Sequence, residues 1–125
     1  MSRRTLGKPT GSSYSLGISV SHGRLVFISG IVAMDESGNV IAPGDMEAQT
    51  RHIFDRMDDL LREAGADFRD VVKITTFVTD MSQYAAFSKV RGEVFQDGYP
   101  ASATVGVSAL VFDGLVVEVE AIAVV

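Results

Sequence analysis

The spacing of apolar and polar residues changes several times along the chain, and each change predicts an element. YSLGISV (14–20) alternates and predicts a strand. SHG (21–23) is a turn signal, and RLVFISGIVAM (24–34) predicts one long or broken strand with Gly30 inside it. A glycine within a strand points to a bulge or to close approach of another group. DESGN (35–39) closes a hairpin onto a short VIA segment. From Met46 to Ala64 the period becomes helical, with Met46, Ile53, Met57, Leu60, Leu61 and Ala64 on one stripe. Gly44-Asp45 supplies the start of this helix and Gly65 its stop. VVKITTFV (71–78) is β-branched and predicts a strand. Met81, Tyr84, Phe87, Val90 and Val94 predict a second helix with Asp80 or Ser82 as its cap. After the turn Asp97-Gly98, two strands follow, ASATVGVSAL (101–110) and LVVEVEAIAVV (115–125).

Strands, helix, strand, helix, strands make an α+β domain: a mainly antiparallel six-stranded sheet with two helices on one face. The last strand adds a constraint. Leu115, Val117, Val119, Ala121, Ala123 and Val125 share one face, and Val116, Glu118, Glu120, Ile122 and Val124 share the other. Both faces are largely apolar, yet two helices cover only one. The simplest cover for the second is the same sheet from neighbouring copies in a closed cyclic oligomer.

Composition narrows the class. With 125 residues the chain fits one domain, 1–125. Hydrophobic residues make up 46% and mean hydropathy is +0.22, high for a small monomer. The net charge of −5 argues against partners held by phosphate backbones, and hence against nucleic acid and ribonuclease chemistry. Arg3-Arg4 with Lys8 form the one basic cluster, expected to lie in a solvated tail ahead of the irregular lead-in GKPTGSS (7–13). The absence of cysteine excludes disulfides, Cys-ligated zinc and thiol nucleophiles. No apolar run approaches membrane-spanning length and no signal peptide is visible, so a cytoplasmic location and no membrane partner are expected.

Familiar chemical motifs are missing. GKPTG lacks the order of a phosphate loop, and neither GxGxxG nor GxSxG occurs. His22 and His52 lack metal-like spacing and read as surface residues. DRMDDLLRE (55–63) reads as a solvated helix face with i,i+4 pairs such as Asp58–Arg62. Glu118 and Glu120 are different, because carboxylates on an apolar strand face must be paired, hydrogen-bonded or neutral. Either they are satisfied structurally, or one of them handles protons or orients a water.

DMEAQTRHIFDRM, AGADFRDVVKITTFVTDM, YPASATVGVSAL and EVEAIAVV, in this order and spacing, resemble the YjgF/RidA family, also called L-PSP. The resemblance runs from about Tyr14 to Val125. It implies a chorismate-mutase-like subunit of the bacillus type, assembled as a homotrimer with a central β-barrel and ligand pockets between subunits. It also implies hydrolysis of reactive enamines and imines such as 2-aminoacrylate to a keto acid and ammonia. No metal or organic cofactor is expected, and a functional link to pyridoxal-phosphate enzymes is. By the same resemblance Tyr14 is the pocket tyrosine, and Ser29 and Gly30 form the strand approached by the ligand. Ser88 and Thr104 take two further pocket positions, and Glu120 positions the attacking water.

One position departs from the family pattern. Where the active deaminases carry an arginine that grips the substrate carboxylate, this chain has Ser102. A serine hydroxyl does not replace a guanidinium fork. Arg24, Arg51 or Arg91 could supply the charge from another wall. Two functions therefore compete: hydrolysis of a small imine or enamine, either 2-aminoacrylate-like or aminomuconate-like, and a trimer that binds a small keto acid or regulates a partner without turnover.

Overall fold

The computed structural model describes residues 3–125. Helix α1 (Met46–Glu63) begins at Asp45, whose carboxylate accepts from the Ala48 amide at 3.0 Å. It stops at Gly65, which adopts the left-handed backbone that a side chain would resist (φ 77°). Helix α2 (Tyr84–Val94) follows a 3-10 turn, Met81–Gln83, capped by Asp80 through the Ser82 amide at 3.0 Å. Both helices lie where the apolar spacing predicts them, and the Asp58–Arg62 pair forms on α1 at 3.1 Å.

The six strands do not form the one expected sheet but divide into two, because the first pairs only with the second. β1 (Arg3–Leu6) pairs antiparallel with β2 (Gly17–Val20). β3 (Leu25–Val32), β4 (Val71–Val78), β5 (Ala101–Gly106) and β6 (Val117–Val124) form a sheet in the order β3-β6-β4-β5. Every pairing is antiparallel except β4–β5. The β3–β6 register shifts between Ile28 and Ile31, so Ser29 and Gly30 form a bulge. Four predicted strands, 14–20, 24–34, 101–110 and 115–125, are longer than the observed ones. β5 ends at Gly106 because its partner β4 ends opposite, at Val78. Residues 40–42 contribute only a bridge between Met34 and Val40. Tyr14 and Ser15 leave β2 to meet β5: the Ser15 amide donates to Pro100 O at 2.9 Å, beside a parallel bridge to Ala101.

The N-terminal segment corrects one expectation. It is not a solvated tail: Arg3 opens β1, and its guanidinium donates to Val71 O (3.0 Å) and Arg69 O and reaches Gly98 O and Tyr99 O. These carbonyls belong to the start of β4, the turn before it and the loop ahead of β5, so one forked donor ties three segments together. Burial pushes the Arg3 pKa down, partly offset by Asp70.

The core lies between the helices and one sheet face. Val117, Val119, Ala121 and Ala123 meet Ile53, Phe54, Met57 and Leu61 there. Phe54 and Phe95 stack edge-on with centroids 5.5 Å apart. The opposite sheet face has no cover among the described residues. Phe27 is 71% exposed and Leu25 59%, next to Ile122 and Val124. Among the described residues, no helix is long and apolar enough to cross a membrane.

Candidate active site

Helical and strand spacing bring one group of side chains together. Tyr84, Ser88 and Arg91 stand at i, i+4 and i+7 on one face of α2. Ser102 and Thr104 alternate onto one face of β5. The Ser15–Pro100 contact holds Tyr14 at the same edge. Tyr14, Met81, Tyr84, Arg91, Ser102 and Thr104 line a cavity of about 500 Å³.

Arg91 dominates this cavity. It is 1% exposed, yet it lies on a wall made of hydroxyls. Its Nε donates to Ser13 Oγ (2.9 Å) and its Nη1 to Ser102 Oγ (3.1 Å). Its Nη2 donates to Tyr84 Oη (2.9 Å) and more weakly to Ser88 Oγ (3.4 Å). The guanidinium carbon sits 5.4 Å from the Tyr14 ring centre, 5.7 Å from Tyr84 and 5.3 Å from Phe87. Arg91 makes no ion pair among the described residues. A buried cation without a counter-charge costs several kcal/mol, on the order of the penalty for removing one member of a buried pair.

The other two candidate arginines are engaged elsewhere. Arg24 donates to Ala64 O at 2.8 Å. Arg51 bridges Glu93 (2.7 Å) and Glu47 (3.1 Å) on the outer helix surfaces, where the Glu93 and Glu47 hydrogen bonds raise its pKa.

The remaining expected site residues lie apart. Ser88 stands behind the cavity, with its Oγ 3.2 Å from Ser13 Oγ and its carbonyl accepting from Ser13 at 3.1 Å. Ser29 and Gly30 line a separate groove of about 640 Å³ between β3 and α1. β3 and β5 are opposite edges of the sheet, so one chain does not join these two groups. Glu120 pairs with Thr75 on the open sheet face and is exposed. Glu118 is the glutamate that meets the bulge. A Cβ on Gly30 would stand 2.8 Å from the Glu118 carboxyl carbon, so the missing side chain makes room for that carboxylate. Neither histidine belongs to the cavity: His22 is exposed, and His52 Nε2 lies 3.2 Å from Met34 O.

The sequence profile of the family described as "Endoribonuclease L-PSP" matches residues 8–125. The chain belongs to this family, which is also called YjgF/RidA. It is 38% identical to a RutC family protein of Pyrococcus abyssi, over 93% of this chain and 88% of that one. It is 36% identical to the 2-iminobutanoate/2-iminopropanoate deaminase of Capra hircus, over 81% and 73% of the two chains. The crystal structure of a Rid-family protein of unknown function from Yersinia pestis superposes with a TM-score of 0.90 at 30% identity, covering 100% of both chains. The family and these relatives support imine deaminase chemistry in the broad sense, and the mixed sheet with two helices is the α+β, chorismate-mutase-like fold.

Proposed function

We propose that this chain hydrolyses small 2-imino or enamine carboxylates in a pocket completed by a neighbouring copy. The observation that carries the reading is the convergence of Tyr14, Ser102 and Thr104 on one cavity whose wall also holds an uncompensated cation. The second half of the site would come from Ser29 and Gly30 on the opposite edge strand, β3, with Glu118 on the adjoining strand β6. A cyclic trimer would bring the β3 edge of one copy to the β5 edge of the next. The uncovered apolar face around Phe27 and Leu25 supports such an assembly.

In this reading a water adds to the imine carbon. A glutamate takes one water proton and delivers it to nitrogen, giving a carbinolamine; the remaining hydroxyl proton then passes through the same carboxylate to the amine as the C–N bond breaks, and a keto acid and ammonia leave. Sequence resemblance points to Glu120 for this role. The contact with the Gly30 bulge favours Glu118, and the carboxylate is assigned to it here. The acidic chain suits a small-molecule substrate better than the ribonucleic acid of the family's description.

A threonine or serine dehydratase supplies the imine directly, and its decay is followed with and without this protein. Faster decay with stoichiometric keto acid and ammonia is the expected result. Unchanged decay across both dehydratases, with keto acids still bound, would replace hydrolysis by a ligand-binding or regulatory role.

A further inference from the structure

We infer that Arg91, acting through Ser102 and Tyr84, is the carboxylate anchor of the pocket and takes the part of the arginine absent from position 102. The inference rests on the small-carboxylate reading above and assigns the residue that selects for it.

The donor count gives the mechanism. A guanidinium has five N–H bonds. The four contacts to Ser13, Ser102, Tyr84 and Ser88 leave one Nη1 hydrogen unassigned, on the nitrogen beside Ser102. The Ser102 and Tyr84 oxygens accept from Arg91, so each keeps its own O–H free to donate. Both residues line the cavity. The buried positive charge is thereby presented at the wall as two oriented hydroxyls and one N–H. An anion fits this set, because every free group is a donor and the cation behind them has no counter-ion among the described residues. A neutral amide would gain only part of it, since its NH2 group brings further donors.

Arg91 also has a structural role, because it ties Ser13 of the N-terminal loop to α2 and β5. The experiment separates the two roles. Pyruvate and the neutral isostere pyruvamide are titrated by calorimetry into the wild-type protein and into Arg91→Met and Arg91→Lys. The wild type is expected to bind pyruvate about tenfold or more tighter than pyruvamide. In Arg91→Met this preference falls to about one while pyruvamide affinity changes little, and Arg91→Lys retains part of the preference. A purely structural arginine would weaken both ligands alike. Equal binding of the two by the wild type, or an undiminished preference in Arg91→Met, would overturn the inference.

Should Arg91→Met fail to fold, the side-chain Nε–H resonance of Arg91 in the wild type is followed instead. A shift with pyruvate and not with pyruvamide supports the anchor, and no shift with pyruvate refutes it. Lack of imine turnover together with a tenfold pyruvate preference removes the hydrolase reading and leaves the anchor standing. Turnover without carboxylate preference does the reverse.

Discussion

Arg91 Nη1 lies 3.1 Å from Ser102 Oγ, which puts a guanidinium directly behind the serine that, by sequence resemblance, takes the place of a carboxylate-gripping arginine. The guanidinium stands on helix α2 and the hydroxyl on strand β5, and both line the cavity.

Because Arg91 already occupies this region, Ser102→Arg adds a second guanidinium to a confined space. The substitution is expected to destabilise the protein by about 2 kcal/mol, within the ordinary range for an uncompensated charge. Millimolar pyruvate should recover part of the loss by binding the folded state. The exchange variant Arg91→Met/Ser102→Arg should be more stable than Ser102→Arg alone. Thermal unfolding of the three proteins with and without pyruvate measures this.

Glu118 and Glu120 are distinguished by substitution. Glu118→Gln is expected to lower imine hydrolysis by about 100-fold or more, the usual size of a lost proton-transfer group. Glu120→Gln, at an exposed position two residues from the bulge contact, is expected to stay within about threefold of the wild type, in line with substitutions away from a site. The reverse ranking in the dehydratase-coupled assay would return the role to Glu120.

Gly92 sets how closely the N-terminal loop seats on α2, since a Cβ there would lie 3.3 Å from Ser13 Cβ. Alanine in a helix gains about 1 kcal/mol over glycine. Ser13 belongs to a loop that can shift by a few tenths of an ångström, so Gly92→Ala should leave stability unchanged or slightly raised. The shift lengthens the 2.9 Å contact of Ser13 with Arg91 Nε, and pyruvate affinity should fall by about twofold, a few tenths of a kcal/mol. Denaturant melts and calorimetry on the same sample test both halves.

Acid should weaken the entrance to α2. Hydrogen bonds from the Ser82 side chain, then Gln83 and the Ser82 amide, hold the Asp80 pKa below its ordinary 3.8. A depressed carboxylate contributes stability above its unfolded value and loses it as pH falls through the folded one. Asp80→Ala should therefore melt below the wild type between pH 5 and 8, with the gap closing under about pH 4. A gap that persists unchanged at pH 3 would contradict this assignment.

The helices and β4 were legible because Asp45, Gly65 and Asp80 act locally and the apolar spacing is regular. The strand ends were less so: β5 stops at Gly106 because β4 does, a limit set by a partner 28 residues away in the register Val78–Gly106. Arg3 was misread because its acceptors, Val71 O and Tyr99 O, are remote in sequence. Tyr14, Ser102 and Thr104 were placed by resemblance and do share a cavity. Arg91 stood only among three arginines, although its place between Val90 and Val94, on a face with Tyr84 and Ser88, was a visible signal. The closeness of Glu118 to Gly30 depends on the bulge in β3, which alternation does not reveal.

A crystal structure with 2-oxobutanoate tests the central claim most directly. The account predicts the ligand carboxylate within hydrogen-bond distance of Ser102 Oγ and Arg91 Nη1, with the keto carbon facing Glu118 of a neighbouring copy. A ligand seated elsewhere, or one whose carboxylate points away from Ser102, would contradict it.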